Sequence, residues 1–182
     1  MKKLSLKGMI LAAVFAALTG ILTQVQIPLP YIPINLALFA VFLAGALLGP
    51  KYGALAMAVY VLLGAVGVPV FSGFSGGLHK LAGPTGGYIA GYVVCAFLVG
   101  LLSRRWGFGK CNLMLALSMA VGTLACYALG TAWFMGVTGN TLWVSLGYCV
   151  FPFLPGEAVK IALAAALAGR LRAPLQASGW AE

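Results

Sequence analysis

Gly67-Val68-Pro69-Val70-Phe71-Ser72-Gly73-Phe74-Ser75-Gly76-Gly77, followed by Gly83-Pro84-Thr85-Gly86-Gly87-Tyr88, interrupts a chain that otherwise reads as almost continuous membrane helix. Seven glycines and two prolines fall between Gly67 and Gly87. Glycine tolerates positive φ and close backbone approach, and proline cannot continue a helix. Irregular backbone at membrane depth is tolerated only where it is buried in protein or lines a cavity. The segment therefore reads as the wall of a ligand site. A glycine-rich surface loop would not need the two bulky aromatics Phe71 and Phe74.

The surrounding composition sets the class. Of 182 residues, 63% are hydrophobic and 7% charged, with a mean hydropathy of +1.07. A soluble domain carries about 25% charged residues. Residues 1–182 read as a single all-α integral membrane domain. A spanning helix needs about 20 mostly apolar residues. Six segments qualify, at about 7–26, 34–48, 52–66, 86–102, 112–136 and 155–171. The second and third are short and are expected to stop beneath a cap of loops. The start Met1-Lys2-Lys3 resembles a signal peptide, but the apolar run from Gly8 to Thr23 is long and lacks a small-residue cleavage site, so it reads as a retained helix.

The net charge of +9 could suggest nucleic acid, but its distribution says otherwise. Lys2, Lys3, Lys7, Lys51, Arg104, Arg105, Lys110, Arg170 and Arg172 fall on one side of the six spans, and only Lys80 falls in the opposite loops. Positive charge gathers on the cytoplasmic side of membrane proteins, which predicts both termini inside. Anionic lipid of the bilayer is then the partner that charge implies, and no nucleic-acid partner is expected. The first outer loop, Val25 to Pro33, carries three prolines and is expected to lie stiffly over the bundle. The third outer segment, from Val137 to about Val150, reads as a loop, and residues 176–182 as a frayed tail. The tryptophans fall near span ends, where they anchor at the interface. Cys95, Cys111, Cys126 and Cys149 show no metal-ligand spacing and read as small buried apolar groups, so no metal or cofactor is expected.

Two acids exist. Glu182 is terminal, which leaves Glu157 as the acid of the membrane body, and Lys160 sits in the same predicted span. Residues three apart share a helix face, and ionisable groups inside a membrane are functional candidates. They read either as a structural ion pair or as ligand contacts, a lysine for a carboxylate or carbonyl and an acid for N–H groups. His79 and Lys80 read as a solvated loop tip or as part of the site, and Asn35 as a helix cap or as part of the site. Ala12, Ala13, Ala16 and Ala17 on the first span form two overlapping small-xxx-small pairs, which suit internal packing or a partner helix. There is no phosphate-binding Gly-x-x-x-x-Gly-Lys loop, no zinc-protease motif and no nucleophile elbow. A transport protein of this kind would draw its energy from other subunits.

The two glycine-rich stretches, together with Phe153-Leu154-Pro155-Gly156-Glu157-Ala158-Val159-Lys160, resemble the signature segments of the BioY family. These are the biotin-binding substrate-specificity components (S-components) of energy-coupling factor (ECF) transporters. The resemblance runs from the first span through Lys160. It implies a six-helix bundle with a loop-capped vitamin pocket at the outer face of a prokaryotic cell membrane. It also implies an ECF transmembrane coupling protein and two ATP-binding subunits as partners, and makes the Ala12–Ala17 stripe similar to the family's docking surface. Glu157 stands where the family usually has Asp, one methylene shorter. On this reading the ligand-binding set is Glu157, Lys160, Phe71, Gly73, Gly76, His79, Thr85, Tyr88 and Asn35. An S-component for another carboxylate-bearing vitamin, and a small intramembrane enzyme using Glu157 and His79, are the competing readings.

Overall fold

The computed structural model describes residues 5–29, 31–106 and 112–177. Lys2, Lys3, Lys110, Cys111 and Trp180 lie outside the described residues, as does the tail from 178 on. The elements are α1 (Leu6–Gln24), β1 (Gln26–Ile27), β2 (Ile34–Asn35), α2 (Ala37–Ala65), α3 (Leu78–Ala82), α4 (Gly86–Arg105), α5 (Asn112–Thr138), α6 (Leu142–Cys149) and α7 (Leu154–Ala177).

α2 absorbs two of the expected spans. A straight helix of this length would hold residues eight apart at about 12 Å. Yet a Cβ on Gly53 would sit 2.9 Å from the Cα of Gly45. The helix folds back on itself at Gly49, whose φ of 79° and ψ of −177° belong to a backbone region open essentially to glycine. Pro50, which can start a helix but not continue one, follows directly. The arms 37–48 and 50–65 are therefore antiparallel passes. Counted singly, α1, α2, α4 and α5 are each long and apolar enough to cross a membrane, and α6 with α7 makes a further span bent by 51°. With α2 folded into two arms, the described residues come close to the six passes expected.

Contacts fix their directions. α1 runs parallel to the second arm: the Ser5 N–H donates to the Tyr52 hydroxyl at 2.7 Å near one end, and Thr23 Oγ1 meets the Tyr60 hydroxyl at 3.2 Å toward the other. α4 runs alongside the first arm, with Ala96 and Val99 against Gly45 and Gly100 against Pro50. α5 returns antiparallel, with Gly122 against Cys95 and Gly130 against Tyr88. α7 ends beside the start of α5, with Gly169 near Asn112. Ser5, the Gly49 turn, Arg105, Asn112 and the last turns of α7 thus gather at one end, and the glycine-rich segment lies at the other.

Three expectations change. The 25–33 segment is not a simple overlay, because β1 and β2 pair antiparallel across it, Gln26 with Asn35 and Ile27 with Ile34. The 137–150 segment contains helix α6 rather than only loop, and a helix satisfies its own backbone groups among these mostly apolar residues. The last helix continues to Ala177 and so takes in Gln176 and Ala177 of the expected tail, while its apolar span ends at Leu171, as expected. Cys95, Cys126 and Cys149 are buried and unpaired, as small apolar groups would be.

The Gly49 turn generates a prediction. A Cβ there would meet the Arg104 guanidinium and strain the backbone. Gly49→Ala is expected to lose roughly 1–3 kcal/mol of stability, read as a lower thermal midpoint of the purified protein in detergent. An unchanged midpoint would show that the fold-back tolerates a side chain.

Candidate functional site

The two arms of α2 are short, about 18 and 24 Å for 12 and 16 residues, against a hydrocarbon core of about 30 Å. The space they leave at one end holds a cavity of about 310 Å³. Its depth is lined from the helices: Tyr60 on the second arm, Ile89 and Tyr92 on α4, Tyr127 on α5, and Glu157 and Lys160 on α7. Its cover comes from the connecting segments, with Tyr31, Ile32 and Asn35 on one side and Phe71, Ser72 and Ser75 on the other.

The charged centre follows from local helix chemistry. Pro155 and Glu157 occupy the first turn of α7, where a missing N–H costs nothing and a carboxylate meets the positive end of the helix dipole. One turn on, Lys160 Nζ donates to Glu157 Oε1 at 2.7 Å. The two residues are only 3% and 7% exposed. The other carboxylate oxygen, Oε2, has no hydrogen-bond partner. Neither has the Tyr127 hydroxyl, which lies within electrostatic reach of that carboxylate, nor Gln26 Oε1 on β1. Among the described residues these are the buried side-chain atoms left without a bond, and all three belong to residues lining the cavity. A buried polar atom without a partner costs about 1–3 kcal/mol, so the cavity wall is set to accept hydrogen bonds from something placed inside it.

The aromatic residues shape the remainder. The Phe71 ring is buried against Gly64, where even a Cβ would collide with it, and meets Tyr60 edge-on at 5.6 Å. Tyr88 bonds Thr131 at 2.9 Å and stands edge-on to Tyr127 at 6.1 Å, so its hydroxyl is engaged and its ring borders the cavity. Tyr31, from the cover, packs on Phe134 and Tyr148 at 5.7 and 5.0 Å, which ties the first connecting segment to α5 and α6.

Glu157, Lys160, Phe71, Thr85, Tyr88 and Asn35 are brought together around one cavity. Asn35 is not the N-cap of α2, which is Leu36, but stands one residue before it: Oδ1 accepts the Ala37 N–H at 3.0 Å while Nδ2 donates to Ser72 Oγ at 2.9 Å. Gly73, Gly76 and His79 do not line the cavity. Gly73 supplies a positive φ of 72° at the exposed turn, and Gly76 packs against the backbone of Gly67 and Val68. His79 lies exposed on α3, so no catalytic pairing with Glu157 is built. The alanine stripe divides. Ala12 and Ala16 are 1% exposed inside the bundle, whereas Ala13 and Ala17 are exposed. A single helix face cannot carry all four, because positions one apart diverge by about 100°. Sequence reading passed over Tyr127, Gln26 and the tyrosines at 60 and 92. The signal available was a polar group set in an apolar run, at Tyr127 on α5 and at Gln24 and Gln26 where α1 ends.

Comparison with known proteins places the chain in a family. Residues 1–177 match the BioY family. A relative described as a probable biotin transporter BioY in Pyrococcus horikoshii is 40% identical over 166 residues, which are 91% of this chain and 96% of that protein. The biotin transporter BioY of Thermotoga maritima is 38% identical, over 92% of this chain and 96% of the relative. The crystal structure at 2.1 Å of the S-component for biotin from an ECF-type ABC transporter superposes with a TM-score of 0.85 at 28% identity, covering 91% of this chain and 90% of that one. With a family match over nearly its whole length and relatives of this identity and coverage, the chain belongs to the BioY family.

Proposed function

We propose that this protein captures biotin in the cavity under the glycine-rich segment and delivers it as the substrate-specificity subunit of an ECF-type ABC transporter. The observation that carries the reading is the buried Glu157–Lys160 pair, with one carboxylate oxygen left without a hydrogen bond, at the wall of the cavity. The volume is at the small end of the range for ligand sites, about 300–1,000 Å³. Biotin offers two ureido N–H donors, a carbonyl, an apolar ring and a carboxylate. Glu157 Oε2 suits an N–H donor, Tyr127 suits either sense of hydrogen bond, and Lys160 and Lys80 suit a carboxylate or carbonyl. Phe71, Tyr88 and Tyr92 supply apolar faces.

The protein is then a binding subunit without chemistry of its own. ATP hydrolysis belongs to two ATP-binding partner subunits, joined through a membrane coupling protein. The clustering of Lys7, Lys51, Arg104, Arg105 and Arg170 at the end opposite the cavity supports a cytoplasmic position for that end and an outward-facing cavity. The exposed Ala13 and Ala17 face of α1 is the docking surface for the coupling protein. Ala12 and Ala16 serve to pack α1 on the bundle.

Three measurements test this. Glu157→Ala and Lys160→Ala should each weaken biotin binding about ten- to a hundredfold, from roughly 1.5–3 kcal/mol per charged hydrogen bond, while Glu157→Asp should retain binding. Monodisperse alanine variants with unchanged affinity would reduce the pair to a structural role. Bulky residues at Ala13 or Ala17 should abolish ATP-dependent uptake and leave biotin affinity intact, whereas Ala12→Leu or Ala16→Leu should destabilise the protein itself. Uptake that survives substitution at both 13 and 17 would remove the docking assignment. Finally, a membrane-impermeant thiol reagent applied outside the cell should label Thr141→Cys and spare Lys51→Cys; the reverse pattern would turn the cavity to the cytoplasm.

A further inference from the structure

Gln24 closes the last turn of α1, and most of its side-chain hydrogen bonds go to one neighbouring turn. Its Oε1 accepts the Phe74 N–H at 2.9 Å. Its Nε2 donates to the carbonyls of Phe71 at 3.1 Å and Val70 at 3.3 Å, and to Gly20 of its own helix at 3.2 Å. A single amide thus grips both limbs of the 70–75 turn. That turn is closed across its base by a pair of backbone bonds, Phe71 N–H to Ser75 O at 2.9 Å and Ser75 N–H to Phe71 O at 3.2 Å. Phe71, Ser72 and Ser75 of this turn line the cavity.

The turn has reason to need a grip. Phe74 carries a φ of 51°, unfavourable for a bulky residue, and leaves its ring 74% exposed. The tip therefore gains nothing from burial of its largest side chain. Two other side chains hold the segment: the Tyr60 hydroxyl donates to Val70 O at 3.3 Å, and Asn35 donates to Ser72 Oγ at 2.9 Å. Tyr60 reaches only the first limb. Asn35 sits on β2, itself part of the cavity's cover. Gln24 is the contact that ties the tip of the turn to a membrane helix.

We propose that Gln24 is the positioning residue that holds the 70–75 turn shut over the cavity and so sets how slowly a bound ligand leaves. It touches no ligand and does not line the cavity. It acts by offering donor and acceptor together, which is why an amide and not a charged or apolar side chain stands there: a carboxylate would face the carbonyls of Val70 and Phe71, and an ammonium would face the Phe74 N–H. The ligand half of this inference rests on the biotin reading above; the grip itself does not.

The test uses the full chain in nanodiscs, with two variants and two readouts. Gln24→Met keeps the length and removes both functions, and Gln24→Glu keeps the acceptor alone. Backbone hydrogen exchange across 70–76 should quicken about tenfold or more in Gln24→Met and less in Gln24→Glu, with exchange across 118–130 of α5 unchanged. Labelled biotin should dissociate about tenfold or more faster from Gln24→Met, again with Gln24→Glu in between, as expected when several hydrogen bonds of about 1 kcal/mol are lost. Exchange and dissociation matching the unsubstituted protein would overturn the proposal, and so would loosening spread equally through α5. If Gln24→Met is not monodisperse, Gln24→Glu decides alone by the same criteria. Failure of the unsubstituted protein to bind biotin would sink the functional reading, and the exchange measurement would still judge the grip.

Discussion

The fold-back at Gly49 is the constraint on which the site depends. A helix of 29 residues running straight would be about 43 Å long and would fill the bilayer with room to spare. Bent at its middle, it becomes two buried arms too short to do so. The longer α1, α4 and α5 continue past them, and connecting segments must close the gap. Because lipid cannot satisfy backbone groups, those segments bond among themselves and to side chains: β1 to β2, Phe71 to Ser75, Asn35 to Ala37. The cavity is the volume these segments enclose above the arms.

Glu157 and Lys160 lie buried beside that volume, where charges are less screened than in water, and pairing becomes compulsory. A lone carboxylate or ammonium would cost several kcal/mol to bury, and removing either partner strands the other. Glu157 and Lys160 meet this by sitting one helical turn apart, which fixes their separation without any help from tertiary packing. The economy of the arrangement is that a single oxygen satisfies the lysine. The second oxygen, with the Tyr127 hydroxyl beside it, remains turned to the cavity.

Much of this was legible in the residues. The glycine-rich stretches, the Gly49-Pro50 break and the Glu157–Lys160 spacing are local features, and local features survive into three dimensions because the chain cannot escape its own covalent geometry. The signals that were lost are non-local. Tyr127 and Gln26 are separated by about a hundred residues and come together only because α5 and the first connecting segment meet over the same cavity. The division of the alanine stripe depends on which face of α1 the second arm of α2 covers, which no periodicity in a uniformly apolar helix reveals. α6 has eight residues, too few to span, so no length signal marks it as a helix.

The charged side chains along the cavity are Lys80, Lys160 and Glu157, a formal sum of one positive charge. A ligand bearing a single carboxylate brings that sum to zero. Glu157 and Lys160 cancel, so the surplus is the charge of half-buried Lys80; the occupied cavity is then neutral, and the empty one carries that charge. Burying a neutral volume in hydrocarbon costs far less than burying a charged one. Occupancy and tolerance of a low-dielectric environment are therefore linked through charge alone, so the loaded protein is the form better suited to be surrounded by lipid or by another membrane protein.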